Sequence, residues 1–127
     1  MTNLNVLVVE DEPTMRQMLT EMLYAVGVSR VVEADDAASG VAAFNGDSFQ
    51  IVMLDLGLPD RDGHEVMKEI KAANRQQHVV LVTADDSIDS IQRAITAGAN
   101  GYVVKPYSRE KIQDVVNNYM MIHNSGT

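Results

Sequence analysis

The stretch Ile51-Val52-Met53-Leu54-Asp55-Leu56-Gly57-Leu58-Pro59 decides how the rest of the chain is read. Its apolar residues run without a polar break, as in a strand covered on both faces, and strands of that kind belong to parallel sheets. The run stops at a carboxylate, Asp55, and a loop punctuated by Gly57 and Pro59 follows. Outward from it lie comparable runs at Val6 to Val9, Val31-Val32, Val79 to Val82 and Tyr102-Val103-Val104, and successive runs begin 20 to 28 residues apart.

The intervals between the runs carry a helical period. Met15, Met18, Leu19, Met22, Leu23 and Val26 share one face, and Gly27 is placed to end that helix. Asp62, with Glu65 three residues on, opens a second stretch reaching Ile70. Ile88, Ile91 and Ile95 recur until Gly98, and Ser108 can cap a last helix carrying Ile112, Val115, Val116, Tyr119 and Met120. Ala37 to Phe44 is a weaker helix, Ala-rich with Gly40 inside it. The alternation βαβαβαβαβα predicts an α/β fold: a five-stranded parallel sheet, doubly wound, with helices on both faces and right-handed crossovers. The Val31-Val32 strand is expected at an edge.

Composition narrows the function. The chain has 127 residues, 46% of them hydrophobic, enough for one packed domain over residues 1–127. Its core is expected at about residues 4–122, with a frayed tail from His123 to Thr127. The 18 Asp and Glu against 10 Lys and Arg give a net charge of −8, which argues against direct nucleic-acid or membrane-surface partners. The absence of cysteine removes disulfides, thiol nucleophiles and Cys-based zinc sites. No basic n-region precedes an apolar stretch at the N-terminus, and no run is long enough for a membrane span, so a cytoplasmic protein is expected.

In an open parallel sheet, ligands gather beyond the carboxyl ends of the strands. The residues there are Glu10, Asp11 and Glu12 after the first run, Asp55 and Gly57 at the third, Thr83 with Asp85 and Asp86 at the fourth, and Lys105-Pro106 at the fifth. Two carboxylates about 4 Å apart repel by roughly 4 kcal/mol at an effective dielectric of about 20. A hard divalent cation relieves that repulsion, and an all-oxygen cluster suits Mg²⁺, with Mn²⁺ able to substitute. An added ammonium and hydroxyl make a cradle for a phosphoryl group, and a strand-end Asp facing the metal is then a nucleophile. Taken singly, each residue has a plainer role: Asp11 or Glu12 can cap the helix opened by Pro13, Asp55 can be a loop acid, Thr83 can bond local backbone, and Lys105 can be a surface lysine. Their joint occurrence on four strand ends favours the phosphoryl site.

These residues resemble the CheY-like receiver domain of two-component response regulators. The matching segments are Val9-Glu10-Asp11-Glu12, Asp55 through Gly63, Val82-Thr83-Ala84, and Gly101 through Pro106. The resemblance implies the strand order 2-1-3-4-5 and the role of each residue. Asp55 resembles the phosphoacceptor, Asp11 the direct metal ligand, Glu10 the neighbouring acid that orients metal-bound water, and Gly57 the backbone carbonyl ligand. Lys105 resembles the lysine that pairs with phosphoryl oxygens, and Pro106 follows it, often through a cis bond in the family. Thr83 and Tyr102 match the hydroxyl and the aromatic residue that move on activation. Glu10 departs from the aspartate found in many members. Gly57 and Asp85 stand where the family tunes phosphate lifetime.

The implied function is a phosphorylation switch fed by a partner phosphohistidine, on a sensor histidine kinase or a histidine phosphotransfer protein. It catalyses its own phosphotransfer and dephosphorylation and is a signalling module rather than a turnover enzyme. Its output is a protein target on the face formed by the Ile88 to Ala97 helix, the Tyr102 strand and the helix after Ser108. A haloacid-dehalogenase-like phosphatase would need an Asp where Gly57 stands. A flavodoxin-like domain would need a phosphate loop where Glu10-Asp11-Glu12 would repel FMN. His64, His78 and His123 read as surface or strand-edge histidines without metal-ligand spacing, and the methionines read mainly as core filler. Met15 is set apart by its place on the rim, one turn past Asp11.

Overall fold

The computed structural model describes residues 3–124. Elements alternate as β1 (Asn5–Val9), α1 (Pro13–Ala25), β2 (Arg30–Ala34), α2 (Ala37–Gly46), β3 (Ile51–Asp55), α3 (Gly63–Ala73), β4 (His78–Thr83), α4 (Ile88–Thr96), β5 (Gly101–Val104) and α5 (Arg109–Asn124). All strand pairs are parallel, and the sheet order is β2-β1-β3-β4-β5. α5 continues through Asn124, so His123 is helical rather than part of a frayed tail. The rest of that expected tail, residues 125–127, lies outside the described residues.

Alternation of side chains along each strand explains the unbroken apolar runs. Val6, Val8, Ile51, Met53, Val80, Val82 and Val103 pack with Leu19 and Leu23 of α1 and with Ile112, Val115 and Val116 of α5. The intervening Leu7, Val9, Val52, Leu54, Val79 and Leu81 pack with Ala37 of α2, Val66, Met67 and Ile70 of α3, and Ala94 of α4. Both faces of β3 are therefore covered, and all of its residues are buried. At the sheet edge, Val31 and Val32 of β2 are only half-buried. Met15, Met18, Met22 and Met120 pack against the first cluster as core filler, whereas Met121 is 70% exposed. The α4 isoleucines do not all face inward: Ile91 is half-buried, but Ile88 and Ile95 are exposed, and Ala94 makes the buried contact.

Local chemistry sets the helix ends. Glu12 caps α1, its carboxylate accepting from the Thr14 and Met15 amides at 3.2 and 2.7 Å, with Pro13 opening the helix. At its other end Gly27 adopts φ 101°, and the Gly27 and Val28 amides donate to Tyr24 and Leu23 carbonyls, closing a Schellman turn. Asp62 caps α3 as expected, and Asp36 with Ser39 forms a capping box on α2. Gly40, which weakened the reading of α2, lets that helix lie on β1: a Cβ there would meet Val9 Cγ2 at 2.9 Å.

His64 and His78 correct the expectation of surface or strand-edge histidines. They are 7% and 1% exposed. His78 opens β4 beneath α5, where its ring meets Tyr119 edge-on at 5.2 Å and His123 at 5.5 Å. Alternation puts the first residue of β4 on the sheet face that α5 covers, which the position of His78 at a strand start does not reveal.

Candidate functional site

The sheet order places β1 and β3 side by side while their following helices leave on opposite faces, which opens a crevice at their carboxyl ends. The register pairs Val9 with Leu54, so Glu10 and Asp55 emerge next to one another. Glu10 is 1% exposed and Asp55 5%, while Asp11 is exposed at the rim. Ligand oxygens of Glu10, Asp11 and Asp55 lie within 4.8 Å of one another. Because Glu12 carries the helix cap, Asp11 is left free to face this cluster. Arg16 steadies the turn, its guanidinium donating to the Glu10 and Asp11 carbonyls at 2.8 and 3.4 Å and pairing with Glu33 at 3.1 Å.

Lys105 reaches the acids from β5. Its Nζ lies 2.7 Å from Glu10 Oε1 and 3.0 Å from Asp55 Oδ2. The Lys105–Pro106 peptide bond is cis, as the resemblance implied. Burial opposes the Lys105 charge, but the two carboxylates outweigh it and hold its pKa above the ordinary lysine value. Burial, followed by the neighbouring Asp55, pushes Glu10 up to about 7, with Lys105 offsetting only part of the rise. For Asp55, burial also works upward, yet hydrogen bonding with Glu10, the Gly57 amide and Lys105 prevails and the net shift is downward. The two neighbouring acids are therefore shifted in opposite directions, Glu10 upward and Asp55 downward. Gly57 contributes its N–H to Asp55 Oδ1 at 2.9 Å.

The two expected switch residues are not in this carboxylate network. Thr83, on β4, accepts from the Asp85 amide at 3.1 Å. Tyr102, on the adjacent β5, donates its hydroxyl to the Asp85 carbonyl at 2.6 Å. Both residues are thus tied to one loop residue, Asp85, whose carboxylate in turn accepts from Ser87 and Ser90 at the start of α4. Met15 is half-buried against the α1 and α5 side of the core.

Several contributors were not anticipated. Tyr107 donates to Glu10 Oε1 at 3.0 Å, a contact between residues 97 positions apart that no local sequence pattern marks. Gly63 lets α3 start against the Asp55 carbonyl, where a Cβ would come within 2.6 Å. Asp60 ties the loop after β3 to the start of α2, accepting from the Ala37 and Ala38 amides at 2.8 and 3.0 Å.

Fold and site together define a class: doubly wound parallel α/β domains with an acidic, lysine-bearing crevice at the carboxyl edge. The chain belongs to the response regulator receiver domain family, whose model matches residues 6–117. It is 30% identical to the chemotaxis protein CheY of Pseudomonas aeruginosa over 115 residues, 89% of this chain and 93% of that one. A chemotaxis response regulator of Vibrio cholerae, CheY4, superposes with a TM-score of 0.85 at 25% identity, over 93% of this chain and 99% of the other. A CheY-like receiver domain protein from Methanospirillum hungatei shares the fold at a TM-score of 0.89 and 21% identity, covering 99% and 100% of the two chains. No helix among the described residues is long and apolar enough to cross a membrane.

Proposed function

We propose that Asp55 accepts a phosphoryl group from a partner phosphohistidine, carried by a sensor histidine kinase or a histidine phosphotransfer protein. The observation that carries this reading is the Asp55 carboxylate bonded to Lys105 at 3.0 Å beside two further acids. The attacking Asp55 oxygen forms the new O–P bond as the P–N bond breaks, and the imidazole leaves with the electron pair and takes up a proton. Lys105 and the Thr83 hydroxyl stabilise the phosphoryl oxygens. The all-oxygen set of Glu10, Asp11 and Asp55, with the Gly57 carbonyl, fits Mg²⁺, and Mn²⁺ by the same donor chemistry. When bound, the cation neutralises charge on the phosphoryl oxygens. The same residues serve the return of the phosphoryl group to water, so the domain resets itself as a signalling module.

Incubation with acetyl phosphate and Mg²⁺ tests this reading. One acid-stable, hydroxylamine-labile phosphoryl group per chain is expected, mapping to Asp55 and lost when EDTA removes the metal. Label at another residue would overturn it.

Output is carried by the α4–β5–α5 face and a protein target that prefers the phosphorylated form. Asp85 supports this route, since its N–H holds Thr83 and its C=O holds Tyr102. A phosphoryl oxygen that draws in the Thr83 hydroxyl perturbs that loop and releases the Tyr102 ring. Moving such an equilibrium from 1:99 to 99:1 takes about 5.5 kcal/mol, within the range of a few charge-assisted bonds. Beryllofluoride with Mg²⁺ is expected to shift amide signals across α4, β5 and α5. Thr83→Ala should take up the mimic with much smaller shifts near Tyr102, and wild-type shifts in that variant would remove the Thr83–Tyr102 route.

A further inference from the structure

Glu10 is almost wholly enclosed, and its carboxylate is met by donors from three places in the chain. Oε1 pairs with the Lys105 ammonium at 2.7 Å and accepts from the Tyr107 hydroxyl at 3.0 Å, and Oε2 accepts from the Glu12 amide at 3.3 Å. These donors differ in what else they do. Lys105 is shared with Asp55 at 3.0 Å, and the Glu12 bond is long. The Tyr107 hydroxyl has Glu10 as its recorded partner, and its ring is 6% exposed within the core cluster that holds Val8, Val82, Val103 and Ile112. A donor on so enclosed a ring stays where the packing puts it.

We propose that Tyr107 is a positioning residue for the metal site: its hydroxyl fixes the Glu10 carboxylate so that the acid presents itself toward Asp11 and Asp55. The inference rests on the reading above that these acids bind Mg²⁺. Glu10 and Tyr107 act as a matched pair. The longer acid reaches the hydroxyl, and an aspartate at position 10 would end one methylene short of it. The role belongs to the phosphorylated form as well as the free one, because Lys105 then has phosphoryl oxygens to pair with, whereas among the described residues the recorded partner of the Tyr107 hydroxyl is Glu10.

Calorimetric titration with Mg²⁺ tests the proposal on wild type, Tyr107→Phe, Glu10→Asp and the double variant. Outer-shell partners of metal ligands commonly carry 10–100-fold in metal affinity, so Tyr107→Phe is expected to bind Mg²⁺ about 10-fold or more weakly. In the Glu10→Asp background the same substitution should change affinity by less than about twofold, since the hydroxyl is already out of reach. An affinity for Tyr107→Phe within about twofold of wild type would overturn the proposal, as would an equal loss in both backgrounds. A second measurement needs no variant to fold: the wild-type Tyr107 hydroxyl proton is expected as a slowly exchanging NMR signal, coupled through space to the Glu10 side chain, that persists when Mg²⁺ is added. Its disappearance on metal addition would overturn the role. Absence of saturable Mg²⁺ binding by wild type would overturn the metal reading and this inference together, whereas wild-type binding left intact by Tyr107→Phe would overturn this inference alone.

Discussion

Gly63→Ala is expected to cost about 3 kcal/mol of folding stability and to slow phosphorylation of Asp55 on the order of 100-fold. An added Cβ would sit 2.6 Å from the Asp55 carbonyl oxygen and 2.7 Å from Leu56 Cα. Both are main-chain atoms at the end of the fully buried strand β3, so neither can rotate aside. Relief requires α3 to back away or the β3 terminus to move, and the latter carries the Asp55 carboxylate off its Lys105 and Gly57 bonds. Inserting a methyl where packing is already tight costs roughly 1–3 kcal/mol, with the upper end apt when the obstacle is backbone. A shift of about 1 Å in a reacting group is enough for the rate effect. Gly46→Ala is the control, because a Cβ there meets nothing within 4 Å; it should be neutral or stabilising by up to about 1 kcal/mol. Urea midpoints and initial rates with acetyl phosphate provide the readouts. A Gly63→Ala midpoint equal to wild type would show that the α3–β3 contact yields without cost.

Acidification is expected to remove about 3 kcal/mol of stability through His78 alone. His78 is 1% exposed, and neither Nδ1 nor Nε2 has a hydrogen-bond partner among the described residues. Burial, reinforced by the positive charges that His123 and Lys71 can place nearby, pushes its pKa down from 6.5 to about 4. A histidine in the unfolded chain takes up its proton near pH 6.5 while the folded one resists until about pH 4. The unfolded state therefore binds more protons across that window, and stability is full above it and falls as pH drops through it. Replacing His78 with leucine should flatten this segment of the stability–pH curve and leave stability near pH 7 equal or higher, since two unpaired buried nitrogens are removed. The curves for wild type and His78→Leu, measured by urea unfolding from about pH 7 to about pH 4, share the contributions of the carboxylates. Parallel curves would mean that His78 protonates freely in the folded protein.

The chain writes its local structure openly. Unbroken apolar runs give the five strands and period-3.6 patterning the five helices, because burial on both faces leaves a continuous apolar run and burial on one face leaves a stripe. The caps Asp62 and Ser108 and the terminating Gly27 are legible for a similar reason: the first and last turns of a helix lack internal partners, and only certain residues near in sequence supply them. The roster of Glu10, Asp11, Asp55 and Lys105 is also legible, since a parallel sheet brings every strand's carboxyl end to one edge.

Tertiary structure alone decided what lies between those residues. Whether Asp11 or Glu12 capped α1 depended on the direction of the chain leaving β1, and Glu12 took the cap while Asp11 faced the acids. The partnership of Glu10 with Tyr107 spans 97 positions, and the attachment of both Thr83 and Tyr102 to Asp85 requires β4 and β5 to be paired. The burial of His78 under α5 and the exposure of Ile88 and Ile95 likewise follow from how the helices dock on the sheet. Sequence patterns record which groups are near along the chain and which face of an element is apolar. They do not record the distances between side chains that only packing brings together, and those distances set the opposite shifts of Glu10 and Asp55 and the reach of Lys105.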